Sequence, residues 1–115
     1  MRKLPLRQGQ AMSRKMTLAE KSAQLMRLAH AQGWRCFVCK WPLLAPDAHP
    51  QRAHRIPQAA WAYAKYGAAV IDHDLNMGAV CGRSVAGSDC NSAMSLGVAG
   101  GVAETRLVQA IREAM

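Results

Sequence analysis

The strongest constraint on this chain is its four cysteines, all lying between residues 36 and 90. The first two form a Cys36-Phe37-Val38-Cys39 turn and the others are Cys81 and Cys90. A chain of 115 residues fits one domain with a small hydrophobic core, so a metal staple would add usefully to its stability. Thiolates are soft ligands, and four of them suit a tetrahedral zinc ion. Cys36 and Cys39 can grip one ion from a single turn, with Cys81 and Cys90 supplying the other corners. Eight residues separate Cys81 from Cys90, where two to four are usual in such sites. The alternatives are a redox pair at Cys36/Cys39, a buried thiol at Cys90, or His49, His73 or Asp89 as fourth ligand.

The net charge of +8 is unevenly spread. Residues 1–55 carry +9 and residues 56–115 carry −1. A basic half beside a nearly neutral one predicts an anionic partner, nucleic acid being the common one; a solvated, solubilising face is the alternative. No apolar run approaches the ~18 residues of a membrane span. The basic N-terminus lacks the apolar stretch of a secretory signal, which predicts a cytoplasmic protein, where cysteine sets of this kind bind metal more often than they pair as disulfides.

Residues 1–16 hold Arg2, Lys3, Arg7, Arg14 and Lys15 and few large apolar residues, so a mobile basic arm is expected. Residues 17–115 then form a single domain. Thr17 and Glu20 have capping-box spacing and Gly33 is a natural stop, predicting a helix over about 17–32 with Leu18, Leu25, Leu28 and Ala29 on one face. Trp34, Phe37 and Trp41 are expected to pack as core around the cysteine turn, although such rings can also stack on bases. Gln51–Ile56 reads as a strand ending at Pro57. Ala59–Tyr66 reads as a short helical turn, Val70-Ile71 as a brief extended piece, and Met77–Val80 as a second strand. Gly82–Asp89 reads as a flexible excursion. Asn91–Leu96 begins a helix, and Ala103–Ala114 forms another whose apolar stripe is Leu107, Val108 and Ile111.

The order of parts resembles the HNH endonuclease family. The likeness covers about residues 34–96. It runs from the CxxC turn to Ala53-His54-Arg55-Ile56, then to Leu75-Asn76 with four residues between it and Cys81, and ends at Cys90-Asn91. His54-Arg55-Ile56-Pro57-Gln58, Lys65-Tyr66-Gly67 and His73-Asp74-Leu75-Asn76 look especially like phage and bacterial members. The resemblance implies an α+β fold: a ββα-metal core stapled by a four-cysteine zinc site, with flanking N- and C-terminal helices. It implies a metal-dependent DNA endonuclease in which His54 is the general base, Asn76 orients that imidazole, and Asn91 binds a catalytic Mg or another divalent transition-metal ion. A neutral imidazole can take a proton from water, and a hard cation can offset charge on phosphate and on the departing oxygen.

Relatives often carry Asp or His directly before the base, where this chain has Ala53. Asp72, His73 or Asp74 could compensate. Arg52, Arg55 and the basic arm would hold the DNA backbone. The second reading is a non-catalytic zinc-stapled nucleic-acid-binding module, and a third is a partner in phage DNA packaging or defence. Deleting residues 1–16 removes five basic and no acidic residues. Duplex DNA affinity should fall and its salt dependence flatten; an unchanged slope in a salt titration would show that the arm does not touch phosphates.

Overall fold

The computed structural model describes residues 16–83, 89–96 and 100–115. The basic arm with Arg2, Lys3, Arg7, Arg14 and Lys15 lies outside the described residues, as do positions 84–88 of the Gly82–Asp89 segment and Gly97. The described chain is α+β, with a two-stranded antiparallel sheet and five α-helices. No helix among the described residues is long and apolar enough to cross a membrane.

Helix α1 (Leu18–Ala31) starts where its caps dictate. The Thr17 hydroxyl accepts the Glu20 N–H at 3.1 Å, and Glu20 Oε1 accepts the Thr17 N–H at 2.8 Å. It stops in a Schellman turn: Gly33, at φ 69°, donates to His30 O, and Trp34 donates to Ala29 O at 2.8 Å. The buried face is Gln24, Leu28 and Ala29, with Leu25 packed beside them. Leu18, expected on that face, is 80% exposed. It sits two turns before Leu25, about 10 Å along the axis, and the buried contacts of the helix begin only at Gln24.

Strands β1 (Gln51–His54) and β2 (Met77–Val80) pair with Ala53 opposite Gly78 and His54 opposite Met77. Between them run helices α2 (Ala60–Tyr66) and α3 (Ala68–Ile71) and a 3-10 turn at Asp74–Asn76. Val70 and Ile71, expected to be extended, are helical. Gly67 at φ 84° lets the chain break and restart, its carbonyl accepts the Ile71 N–H at 3.1 Å, and both side chains bury in the cluster that holds Leu107, Val108 and Ile111. Those three residues form the expected stripe of helix α5 (Val102–Ala114). The Tyr66 hydroxyl donates to the buried Glu104 carboxylate and pins α5 to α2. Helix α4 (Cys90–Ala93) is capped by Asp89, which accepts the Ser92 N–H at 3.3 Å.

The apolar interior falls into two clusters. One joins Leu28, Ala29, Leu43, Ala53, Met77, Ala79, Val80 and Met94 to three of the cysteines. The other joins Ile56, Ala62, Val70 and Ile71 to α5. Trp34 is half-buried against the first, but Phe37 and Trp41, expected in the core, are 42% and 37% exposed. Cys36 takes the inward position of its turn, and Phe37 lies on the sheet surface over Gly78, where a Cβ would come within 3.0 Å of its ring.

Asn76 sits fully buried between the two clusters. Its Oδ1 accepts the Ile56 N–H at 2.8 Å, and its Nδ2 donates to Ile56 O at 3.1 Å and Ile71 O at 2.7 Å. Asn76→Ala would strand three buried backbone groups, each worth about 1–3 kcal/mol when unpaired. We expect at least about 3 kcal/mol of destabilisation in urea unfolding; a change under about 1 kcal/mol would show that these groups find other partners.

Candidate metal centre and histidine cleft

Cys36 and Cys39 lie in the turn after α1, Cys81 follows β2, and Cys90 opens α4. The turn is closed by the Cys36 N–H to Trp41 O at 2.8 Å and by Lys40 at φ 68°. All four thiols are free of disulfides, and their Sγ atoms lie within 4.8 Å of one another. Cys39 Sγ is 3.5 Å from Cys81 Sγ, which is 3.8 Å from Cys90 Sγ. A tetrahedron built on zinc–sulfur bonds of about 2.3 Å has edges of about 3.8 Å, so these four residues could hold a metal ion such as zinc. The long Cys81–Cys90 interval does not prevent this, because Cys90 Sγ stands with the other three sulfurs. His73 and Asp89 are engaged elsewhere: His73 Nδ1 accepts the Leu75 N–H, and Asp89 caps α4.

Electrostatics within the group favour a cation. Burial pushes the Cys36 thiol up, but N–H groups of Cys39, Cys81 and Val38 donate to its sulfur and bring it down to about 6. Cys39 is also lowered: burial opposes ionisation, while the Trp41 N–H and the Cys81 thiol outweigh it. Burial and the neighbouring sulfurs push Cys90 up to about 12. Without a cation the group therefore ionises readily at one end and retains a proton at the other. A dication removes the mutual repulsion and lets all four ligate.

His54 ends β1, and its Nε2 lies 3.2 Å from Asp72 Oδ1. Asp72 caps the end of α3, and the same oxygen accepts the Tyr63 hydroxyl at 3.0 Å. Burial raises the Asp72 carboxyl, yet the bonds from His54 and Tyr63 hold it below its ordinary 3.8. Its contribution to stability is thus complete above that value and is lost as pH falls through the lowered one. Asn76 does not touch the imidazole. Its amide fixes the backbone at Ile56, two residues past His54, and the orienting contact to the ring comes from Asp72.

Asn91 lies in the first turn of α4, and its Nδ2 donates to Gln51 Oε1 at 3.1 Å. Asn91, His54, Arg52, Gln58 and Ser92 line one cleft of about 280 Å³. Arg52 Nη1 donates to Gln24 Oε1 at 2.6 Å, and Gln24 Nε2 donates to Asp72 O at 2.7 Å and to Asp74 Oδ1 at 2.9 Å. Arg27 pairs with the same Asp74 at 3.0 Å. One buried glutamine on α1 therefore ties the cleft arginine to the segment that holds His54. Arg55 joins the structure through its backbone, its N–H donating to Asn76 O at 2.7 Å. Ala53 is 1% exposed and packs in the cysteine-bearing cluster, on the face of β1 away from His54. Among the described residues, no group of three or more His, Cys, Asp or Glu side chains other than the four cysteines is placed to share an ion.

The sequence reading passed over Gln24, Tyr63 and the pairing of Asp72 with His54. A polar residue on an otherwise apolar helix face was the available signal for Gln24. Comparisons with family models, with curated proteins and with solved structures return no match for this chain. If the cysteine group binds metal, the purified protein should contain one equivalent. Cys36→Ser or Cys39→Ser should lose that metal and much of the folded circular-dichroism signal, given apparent binding energies of roughly 10–16 kcal/mol for small zinc sites. A metal-free wild type that is fully folded would contradict this.

Proposed function

We propose that this chain is an HNH-like phosphodiester hydrolase acting on DNA, stapled by a structural zinc ion at Cys36, Cys39, Cys81 and Cys90. The observation that carries the reading is the shared cleft of His54 and Asn91, one at the end of a strand and the other in the first turn of the helix after the second strand. Asp72 accepts the Nε2 proton of His54. That contact fixes the tautomer and leaves the Nδ1 lone pair to take a proton from the attacking water. Nδ1 has no protein partner among the described residues. Arg52 lines the same cleft and can hold a non-bridging phosphate oxygen. Asn91 would ligate a divalent ion such as Mg, which when bound offsets charge on the phosphate and on the departing 3′ oxygen. Cys90 directly precedes Asn91, so the zinc staple also sets where Asn91 stands relative to β1.

One observation favours a second reading, a zinc-stapled module that binds nucleic acid without cutting it. The residue before His54 is a buried alanine, and no carboxylate lines the cleft. Plasmid cleavage with Mg, Mn, Ni or no added ion separates the two. His54→Ala should slow cutting on the order of 100-fold or more, with fold, zinc content and DNA affinity nearly intact, because a general base contributes little to ground-state binding. Asp72→Asn should also slow cutting, and Asn91→Ala should raise the ion concentration required. Equal cutting by wild type and His54→Ala would sink the hydrolase reading. DNA binding with no cutting under any ion would establish the module.

A further inference from the structure

The cysteine turn carries side chains that neither the metal centre nor the cleft uses. Phe37, Val38 and Trp41 are exposed by 42%, 38% and 37%, although the two aromatic residues were expected in the core. Each ring has a cation beside it: Lys40 Nζ is 5.8 Å from the Phe37 centroid, and the Arg83 guanidinium lies 3.7 Å from the Trp41 centroid. Arg35 Nη1 donates to Lys40 O at 3.2 Å, which adds a third positive charge to the same turn. No acidic residue occurs between Glu20 and Asp47. Offsetting thiolate charge accounts for Arg83, whose Nη2 lies 4.0 Å from Cys39 Sγ. It does not account for Arg35 and Lys40, which hold backbone carbonyls, nor for two aromatic residues left more than a third exposed.

We propose that this turn is a stacking platform for the unpaired bases of single-stranded nucleic acid, separate from the His54 cleft. Phe37 and Trp41 would offer ring faces, Trp41 the one opposite the stacked Arg83 guanidinium, and Arg35 and Lys40 would follow the phosphates. Aromatic faces interleaved with cations, without carboxylates, complement a chain that is itself alternately aromatic and anionic. Phe37 is seated over the bare backbone of Gly78, where an added Cβ would come within 3.0 Å of its ring. The proposal rests on nucleic acid being the partner but not on hydrolysis.

The test is fluorescence anisotropy of the full-length protein, as purified and without added Mg, against a short labelled oligo-dT and a labelled duplex. Phe37→Leu and Trp41→Leu should each weaken oligo-dT binding about fivefold or more, the lower end of what stacking one base contributes. Both should leave duplex affinity and the salt slope unchanged, because stacking releases no counterions. Phe37→Tyr, which keeps the ring, should bind like wild type, and Arg35→Gln with Lys40→Gln should flatten the salt slope on oligo-dT. Unchanged metal content in the leucine variants separates lost stacking from lost fold. Leucine variants that bind oligo-dT as wild type does would overturn the platform while leaving the nucleic-acid reading standing. Wild type that binds neither probe would overturn both.

Discussion

Four sulfur atoms drawn to one point are the constraint on which the rest of this structure depends. They come from the turn after α1, the end of β2 and the start of α4, three places that also meet in the first apolar cluster. As bare thiols they differ: N–H groups donating to Cys36 bring it down to about 6, while burial and the neighbouring sulfurs push Cys90 up to about 12. A bound dication converts that conflict into cohesion, and in a chain this short it adds what a small core lacks. Its effect would reach the cleft directly, because Cys90 and Asn91 are neighbours and α4 is only four residues long. Such a helix has little propensity of its own and takes its position from what holds its first residue.

Asn76 makes the second tie, at the seam between the two apolar clusters. The long connection between β1 and β2 would otherwise be anchored mainly by side-chain packing of α2 and α3. By bonding Ile56 on both backbone groups and Ile71 on its carbonyl, one amide fixes both ends of that connection. The Gln24 network does the same from outside, holding Asp72, Asp74 and the Arg52 guanidinium against α1. His54 is thus braced through the segment it contacts.

What could be read from the residues follows the range of the forces involved. The Thr17–Glu20 box and the Gly33 stop were legible because their partners lie within a few residues, and the β2 strand and the α5 stripe because their own local residue pattern marks them, although their partners are distant. Cys90 was legible in part, since spacing suggested a ligand but left His49, His73 and Asp89 as rivals. The pairing of His54 with Asp72, eighteen residues apart, and of Gln24 with Arg52, twenty-eight apart, leaves no periodic trace. Val70 and Ile71 carry strand-like side chains, yet Gly67 and the α5 surface make them helical. Phe37 and Trp41 fit the composition of a core, but the turn geometry needed to bring Cys36 inward leaves them outside.

Ala53 shows how the core limits the chemistry open to the cleft. It pairs with Gly78, beneath Phe37 and Met94, at the closest-packed part of the sheet. A carboxylate at position 53 would point into that cluster and toward the thiol group, not toward His54. Burying an unpaired charge there would cost several kcal/mol, so packing alone accounts for an alanine at this position. On the hydrolase reading, the cleft then offers Asn91 and no resident carboxylate. Magnesium commonly keeps several of its waters and is held jointly by a few protein groups and the phosphates of the substrate. A cleft with Asn91 on one side and Arg52 on the other suits that joint mode: the phosphate itself would complete the ion's shell, and ion and DNA would bind with mutual dependence.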